Sequence, residues 1–275
     1  MSPFRGSSSG QVEWKHFDFS VSGGVGTITF MRPDVLNALT FEVYADLRDL
    51  LGDLPQHDEV KVLVVTGTGR GFCSGGDVHE IIGELQRMDA HDLLEFTRMT
   101  GAVVQRMRDA PVPIIASING IAAGAGSVIA LASDLRLMAR SSSFAFLFTK
   151  VGLGGADMGS AYLLPRLVGL GRATELLMLG DKVPPSDALA MGLVSKVVED
   201  DELAAATEEL ARRLADGPSF AYAATKMLLA REQDMSLQGA LELEGMTQAL
   251  LMKSADHSEF YKAFTEGRLP EWKGR

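Results

Sequence analysis

The sequence predicts an α/β fold, with a mixed body to about residue 200 followed by an all-helical C-terminal part. Three observations predict it. The apolar, β-branched runs KVLVVTG (61–67) and PVPIIASING (111–120) show little polar alternation, as strands buried on both faces do. Each run leads into a glycine-rich loop and then into a helical pattern. From about Glu202 onward only helical periodicity remains, over 203–214, 219–231, 237–253 and 258–264.

Along the chain, FDFSV and GVGTITF flank Gly23-Gly24 and predict a β-hairpin. Thr40 precedes FEVYADLRDLLGDL and is the expected N-cap of a helix. After KVLVVTG comes the loop GTGRGFCSGGD, then one long helical region from about Val78 to Met107. PVPIIASING leads into GIAAGAGS and the small-residue helix VIALAS. DLRLMA and SFAFLF are expected strands. GADMG precedes a further helical stretch, and KVPPSDALAMGLVSKVV predicts a turn, a short helix and a strand.

Composition narrows the class. The chain has 275 residues, 46% hydrophobic and 23% charged, which is ordinary for a folded globular protein and excludes a wholly disordered one. A single cysteine, Cys73, excludes an internal disulfide and a cysteine-based metal cage, and no metal site is expected. It fits a reducing compartment, so a cytoplasmic location is expected. Net charge is −10, from 36 acids and 26 bases, which argues against broad nucleic-acid binding. No apolar run reaches the length of a membrane span. The opening residues MSPFRGSSSG lack a hydrophobic signal core. The expected organisation is a flexible tail at 1–12, an α/β core at 13–201 and a helical region at 202–275.

The two glycine loops are the functional signal. A strand that ends in glycines before a helix presents backbone N–H groups to an anion, either a phosphate or a developing oxyanion. Neither loop matches a nucleotide fingerprint: GTGRGFCSGGD lacks GxxxxGK[ST] and GIAAGAGS lacks GxGxxG. On spacing alone, tight packing turns explain them equally well.

Taken together with their surroundings, the loops resemble those of the crotonase, or enoyl-CoA hydratase/isomerase, superfamily. Arg32-Pro33 with Asn37-Ala38-Leu39 resembles that family's R-P-x-x-x-N-A-L. GRGFCSGGDVHE (69–80) resembles its F-x-x-G-x-D loop, and PIIASINGIAAGAGSVIALASDLRL (113–137) its P-x-x-A-x-x-N-G-x-x-x-G-x-G segment. LLPRLVG (163–169) and DALAMGLVSKVV (187–198) resemble two more, so the likeness runs from residue 14 to 265. The resemblance implies a spiral of ββα units with C-terminal helices that assemble homotrimers or dimers of trimers. It implies an acyl-CoA thioester substrate, coenzyme A entering as part of that substrate and no tightly bound cofactor. It places oxyanion-hole N–H groups on Gly76 and Ala125, and CoA contacts on Arg32, Lys226 and Lys262. Val128, Phe146, Phe148 and Tyr162 are the expected acyl-pocket residues.

The sequence leaves the hydratase pattern at two places. The family's two catalytic glutamates fall on Val128 and Phe148, neither of which can move a proton. Asp157, in GGADMGSAYLLPR, stands instead where the family's isomerases carry an acid. An acid there can shuttle a proton when an oxyanion hole acidifies the substrate, or attack as a nucleophile. Isomerase-type chemistry is therefore the leading expectation; a hydratase with a non-standard acid/base set and a non-catalytic CoA-binding homologue are the alternatives. On the residues alone, Asp157 reads first as a helix N-cap, and it is the resemblance that turns it into a catalytic acid. His79 and Glu80 are possible further acid/base groups, and His91 a weaker one. Asp77 reads as a cap and Cys73 as a packing residue.

Overall fold

A hairpin opens the described part of the computed structural model, which covers residues 14–274; the expected tail, 1–12, lies outside the described residues. Strands β1 (Phe17–Ser22) and β2 (Val25–Phe30) pair antiparallel about Gly23-Gly24, both at positive φ, 55° and 84°. Thr40 caps α1 (Phe41–Asp53), its Oγ1 accepting from the Val43 amide at 3.3 Å.

Three successive units then repeat one plan. Strands β3 (Val62–Gly67) and β4 (Gly71–Cys73) lead through a π-helical turn (Val78–Ile82) and α2 (Gly83–Leu85) into α3 (Ala90–Asp109). Strands β5 (Ile114–Ile118) and β6 (Ile121–Ala123) lead into α4 (Ala125–Ala132). Strands β7 (Leu135–Ala139) and β8 (Ser143–Ala145) lead through a 3-10 turn (Leu147–Val151) into α5 (Ser160–Val168) and α6 (Leu170–Leu179). The first strand of each unit joins a six-stranded sheet, β1-β2-β3-β5-β7-β10, and the second joins a four-stranded sheet, β4-β6-β8-β9. The chain closes the two sheets with β9 (Lys182–Val183), α7 (Pro185–Ala190) and β10 (Lys196–Val198). This is the spiral of ββα units that the resemblance implies.

Helices α8 (Leu203–Ala215), α9 (Ser219–Arg231), α10 (Leu237–Leu251) and α11 (Ala255–Glu266) complete the chain. Helix α8 covers one face of the six-stranded sheet, where Leu203, Ala211 and Ala215 pack with Val62, Val64, Ile115 and Leu137. The main core fills the other face, against α1, α3 and α4. Each fully buried Leu or Phe there contributes roughly 1.5–3 kcal/mol. Helix α10 has no buried residue, and Leu237, Leu241, Met246 and Leu250 along it are exposed.

Four expectations change. The long helix over 78–107 is broken at Asp89, whose carboxylate accepts from the His91 and Asp92 amides and starts α3 afresh. Strands β4 and β6 are three residues each, too short for any period to register inside glycine loops. SFAFLF yields strand only over Ser143–Ala145 before the chain turns. The helical stretch after GADMG divides at Gly169, at φ 81°.

Lys226 also changes role. Expected to meet CoA, it is 6% exposed, and its ammonium binds Asp134 at 2.8 Å and the Met107 and Val112 carbonyls at 2.8 and 2.9 Å. Its three donors are thereby occupied. The lysine ties α9 to the end of α3 and the approach to β5, while Asp134 itself accepts from the Ile114 amide.

Two stability predictions follow from this packing. Lys226→Ala leaves the Met107 and Val112 carbonyls without their buried donor and Asp134 with Arg108 as its remaining cation, and lowers unfolding free energy by about 2 kcal/mol; an unchanged urea midpoint would refute the assignment. Gly126→Ala places a methyl inside the contact radius of the Cys73 carbonyl. It should lower the thermal midpoint by more than Gly101→Ala, where the new methyl meets open space.

Candidate active site

The site is built where the two glycine loops meet. The loop after β3 is pinned by two asparagines. Asn37, buried and at φ 58°, donates to the Thr68 and Gly71 carbonyls at 2.9 and 2.7 Å. Asn119 donates to the Gly69 and Gly71 carbonyls and accepts from the Gly67 amide. Beyond β4 the chain reaches Gly75 and Gly76. Leu39 donates to the Gly75 carbonyl and accepts from the Asp77 amide, each at 2.8 Å. In such a parallel bridge the intervening Gly76 N–H points away from Leu39.

The second loop runs from β6 through Gly124 into α4. Gly75, at φ 100°, and Gly124, at φ 49°, face one another. A Cβ on Gly75 would lie 3.4 Å from the Ala125 nitrogen, and one on Gly124 would lie 3.6 Å from the Gly75 Cα. The next residues, Gly76 and Ala125, therefore carry neighbouring amides. Ala125 is the first residue of α4, so its N–H lies outside the intrahelical ladder and at the positive end of the helix dipole. Two such donors suit an oxygen that gains negative charge during reaction.

Asp157 lies on the loop between the 3-10 turn and α5. Its Oδ1 accepts only from the adjacent Met158 amide, at 2.9 Å, among the described residues. Gly159, not Asp157, is the cap of α5, and no side chain bonds there, so the capping alternative fails. The loop is tightly specified. Ser160 is fully buried, donates to the Gly155 carbonyl at 2.8 Å and accepts from the Asp157 amide at 3.0 Å. Gly155 presses on the Leu177 carbonyl so closely that no side chain fits. Met158 takes φ 50°, a costly conformation for a non-glycine residue. Burial raises the Asp157 pKa above the usual aspartate range, opposed by the Met158 hydrogen bond.

The other expected residues separate. Arg32 does not face a ligand: it binds Asp77 at 3.0 Å, Glu80 at 2.8 Å and the Ala38 carbonyl at 2.6 Å. This ties the strand of Gly76 to the segment before α1, and it occupies Glu80 as well. Asp77 caps the π-helical turn by accepting from the His79 and Glu80 amides. His79 is exposed on that turn, and His91 is exposed at the start of α3. Lys262 is exposed on α11. Val128 and Phe146 are sealed in the core at 0% exposure and so fill it rather than line an opening, with Phe146 stacked on Phe144; Phe148 keeps an edge. Tyr162, 41% exposed, bonds Asp234 and stacks under Arg166 on the surface. Burial pushes the Cys73 thiol up to about 12, so it stays protonated and unreactive. Sequence reasoning missed Tyr44, whose hydroxyl lies 3.8 Å from where a Gly76 Cβ would stand. Its place in the apolar stripe of α1 hid it.

The geometry agrees with the likeness of the chain to known proteins. The enoyl-CoA hydratase/isomerase family model matches residues 20–275. The crystal structure of a putative enoyl-CoA hydratase from Streptomyces coelicolor A3(2) superposes with a TM-score of 0.95 at 57% identity, covering 100% of both chains. The 1,2-epoxyphenylacetyl-CoA isomerase of Escherichia coli (strain K12) is 36% identical over 260 residues, 93% of this chain and 97% of that one. A probable enoyl-CoA hydratase of Rhodobacter capsulatus is 35% identical over 257 residues, 94% of this chain and 97% of its own. With two amide-bearing loops in contact and a match along nearly its whole length, the chain belongs to the enoyl-CoA hydratase/isomerase family and is an enzyme of that family.

Proposed function

We propose that this enzyme shifts a double bond in an enoyl-CoA thioester, with Asp157 as the single acid/base. The Gly76 and Ala125 amides hold the thioester oxygen. Asp157 removes a proton from C2 of a 3-enoyl-CoA, the charge spreads over the dienolate and its oxygen, and the same carboxyl returns a proton to C4. Each oxyanion donor is worth about 3 kcal/mol in such a transition state. The observation that carries this reading is the state of Asp157: it is shielded enough to hold its proton more tightly than a solvated aspartate. That raises its basicity toward a weakly acidic carbon. The two glutamate positions of a hydratase hold Val128 and Phe148, and Glu80 is engaged by Arg32, so the pair of carboxylates that directs a hydratase's water is missing from those positions.

The same reading uses no cofactor beyond the coenzyme A of the substrate, and no metal. It includes assembly as a homotrimer or dimer of trimers, supported by the exposed Leu237, Leu241, Met246 and Leu250 of α10, and by Phe260 and Phe264 of α11. It includes a cytoplasmic location; no helix among the described residues is long and apolar enough to cross a membrane.

The test is incubation with 3-enoyl-CoA, crotonyl-CoA and an aromatic acyl-CoA in deuterated water, read by mass spectrometry. Deuterium uptake without addition of water is expected; addition of one D2O, a gain of about 20 mass units (about 19 once the hydroxyl deuteron exchanges back), would make it a hydratase. Asp157→Asn should lower kcat about a thousandfold, and full turnover by that variant would refute the assignment. Activity should rise with pH as Asp157 ionises, with a midpoint above the ordinary value of about 3.9. The stability sign is the reverse. A carboxyl whose pKa is raised on folding stabilises the fold below its unfolded pKa, and that contribution is lost as pH rises through the folded pKa. Asp157→Asn should therefore melt higher than wild type at pH 7, with the gap closing near pH 3.5; equal melting temperatures at pH 7 would contradict the burial argument.

A further inference from the structure

Tyr44 lies on the inner face of α1, 3% exposed, with its ring edge-on to Phe96 at 5.9 Å. Among the described residues its hydroxyl makes no hydrogen bond, although it sits deep in the protein. The polar side-chain atoms that are both sealed from solvent and unpartnered are Thr149 Oγ1 and Glu232 Oε1. Tyr44 Oη is not one of them, so it opens onto free space. That space borders Gly76: a Cβ there would stand 3.8 Å from Tyr44 Oη and 3.6 Å from Ile81 Cδ1. A buried phenol usually finds a partner, because an unmade hydrogen bond costs roughly 1–3 kcal/mol. Here the missing partner faces the site.

We propose that Tyr44 is a third oxyanion donor, its hydroxyl bonding the thioester oxygen beside the Gly76 amide once the acyl group is bound. The inference rests on the enolate chemistry proposed above. The phenol is suited to it: burial first, then the neighbouring Cys73 and Asp157, raise its pKa well above 10, so it remains a neutral donor wherever the enzyme works. A neutral donor strengthens as charge grows on the oxygen it meets. Its contribution should therefore appear in the transition state more than in substrate binding.

Tyr44→Phe keeps the ring against Phe96 and deletes only the hydroxyl. The ligand probes are acetoacetyl-CoA, whose acidic C2 lets a bound enolate be read by its ultraviolet absorbance, and butyryl-CoA, which forms no enolate. The expected result is at least a tenfold loss of enolate formed on the enzyme, with butyryl-CoA affinity within twofold of wild type. In turnover, kcat should fall tenfold or more while KM stays within threefold. Retention of wild-type enolate formation overturns the proposal. So does an equal loss of affinity for both thioesters, which would assign the hydroxyl to ground-state packing. The isomerase reading fails separately, if wild-type enzyme incorporates no deuterium into 3-enoyl-CoA while still stabilising the acetoacetyl-CoA enolate.

Discussion

The contact between Gly75 and Gly124 is the constraint on which the rest of the site depends. Two backbone segments from different ββα units approach with nothing between them, each at positive φ, and a methyl on Gly75 would press within 3.0 Å of the Ala123 carbonyl. Close approach of backbones is what glycine permits. The distance is set from outside the loops. Asn37 and Asn119 both hold the Gly71 carbonyl, and Gly126 lets α4 rest directly on the Cys73 carbonyl. The approach of the two loops is therefore a property of the two sheets as packed, and preorganisation of this kind makes electrostatic stabilisation of the proposed oxyanion effective.

That view also explains which parts were legible in the sequence. The hairpin, the α1 cap, the buried strands and the last helices announce themselves through period, β-branching and capping residues. Asn37 and Asn119 were visible as members of motifs, though only the structure shows both on one carbonyl. What the sequence hid was the identity of each cation's partner. Arg32, Lys226 and Lys262 look alike as surface bases. In the fold, Arg32 joins Asp77 and Glu80, Lys226 is buried on Asp134, and only Lys262 is exposed. Partners 45 or more residues away leave no local pattern, and aromatic residues are no better: Phe146 and Tyr162 read alike, yet one is sealed in the core and the other lies on the surface.

Electrostatics within the site is correspondingly spare. Arg32 is neutralised by two carboxylates, Asp77 and Glu80; in the proposed reaction, charge stabilisation falls to neutral dipoles, the Gly76 amide, the Ala125 amide at the start of α4 and the Tyr44 phenol. Neutral donors stabilise a developing enolate without holding an already charged ligand tightly, which favours the transition state over the ground state. The same absence of a neighbouring cation lets burial govern Asp157. A lysine or arginine beside it would hold its pKa down and weaken it as a base.

An acid kept away from its preferred charged form must be held there by the surrounding fold, and the loop around Asp157 does this. Met158 at φ 50° is unfavourable by itself, and strain of this kind persists only where neighbours over-determine the backbone. Three do so here. Gly155 is wedged on the Leu177 carbonyl, Ser160 clasps both the Gly155 carbonyl and the Asp157 amide, and Gly159 at φ 90° turns the chain into α5. Had Asp157 capped α5 with its side chain, several amides would have bonded its carboxylate and pulled its pKa down. By giving the cap position to Gly159 and leaving a single amide on the carboxylate, the loop keeps the proton affinity of Asp157 high, as the proposed reaction needs.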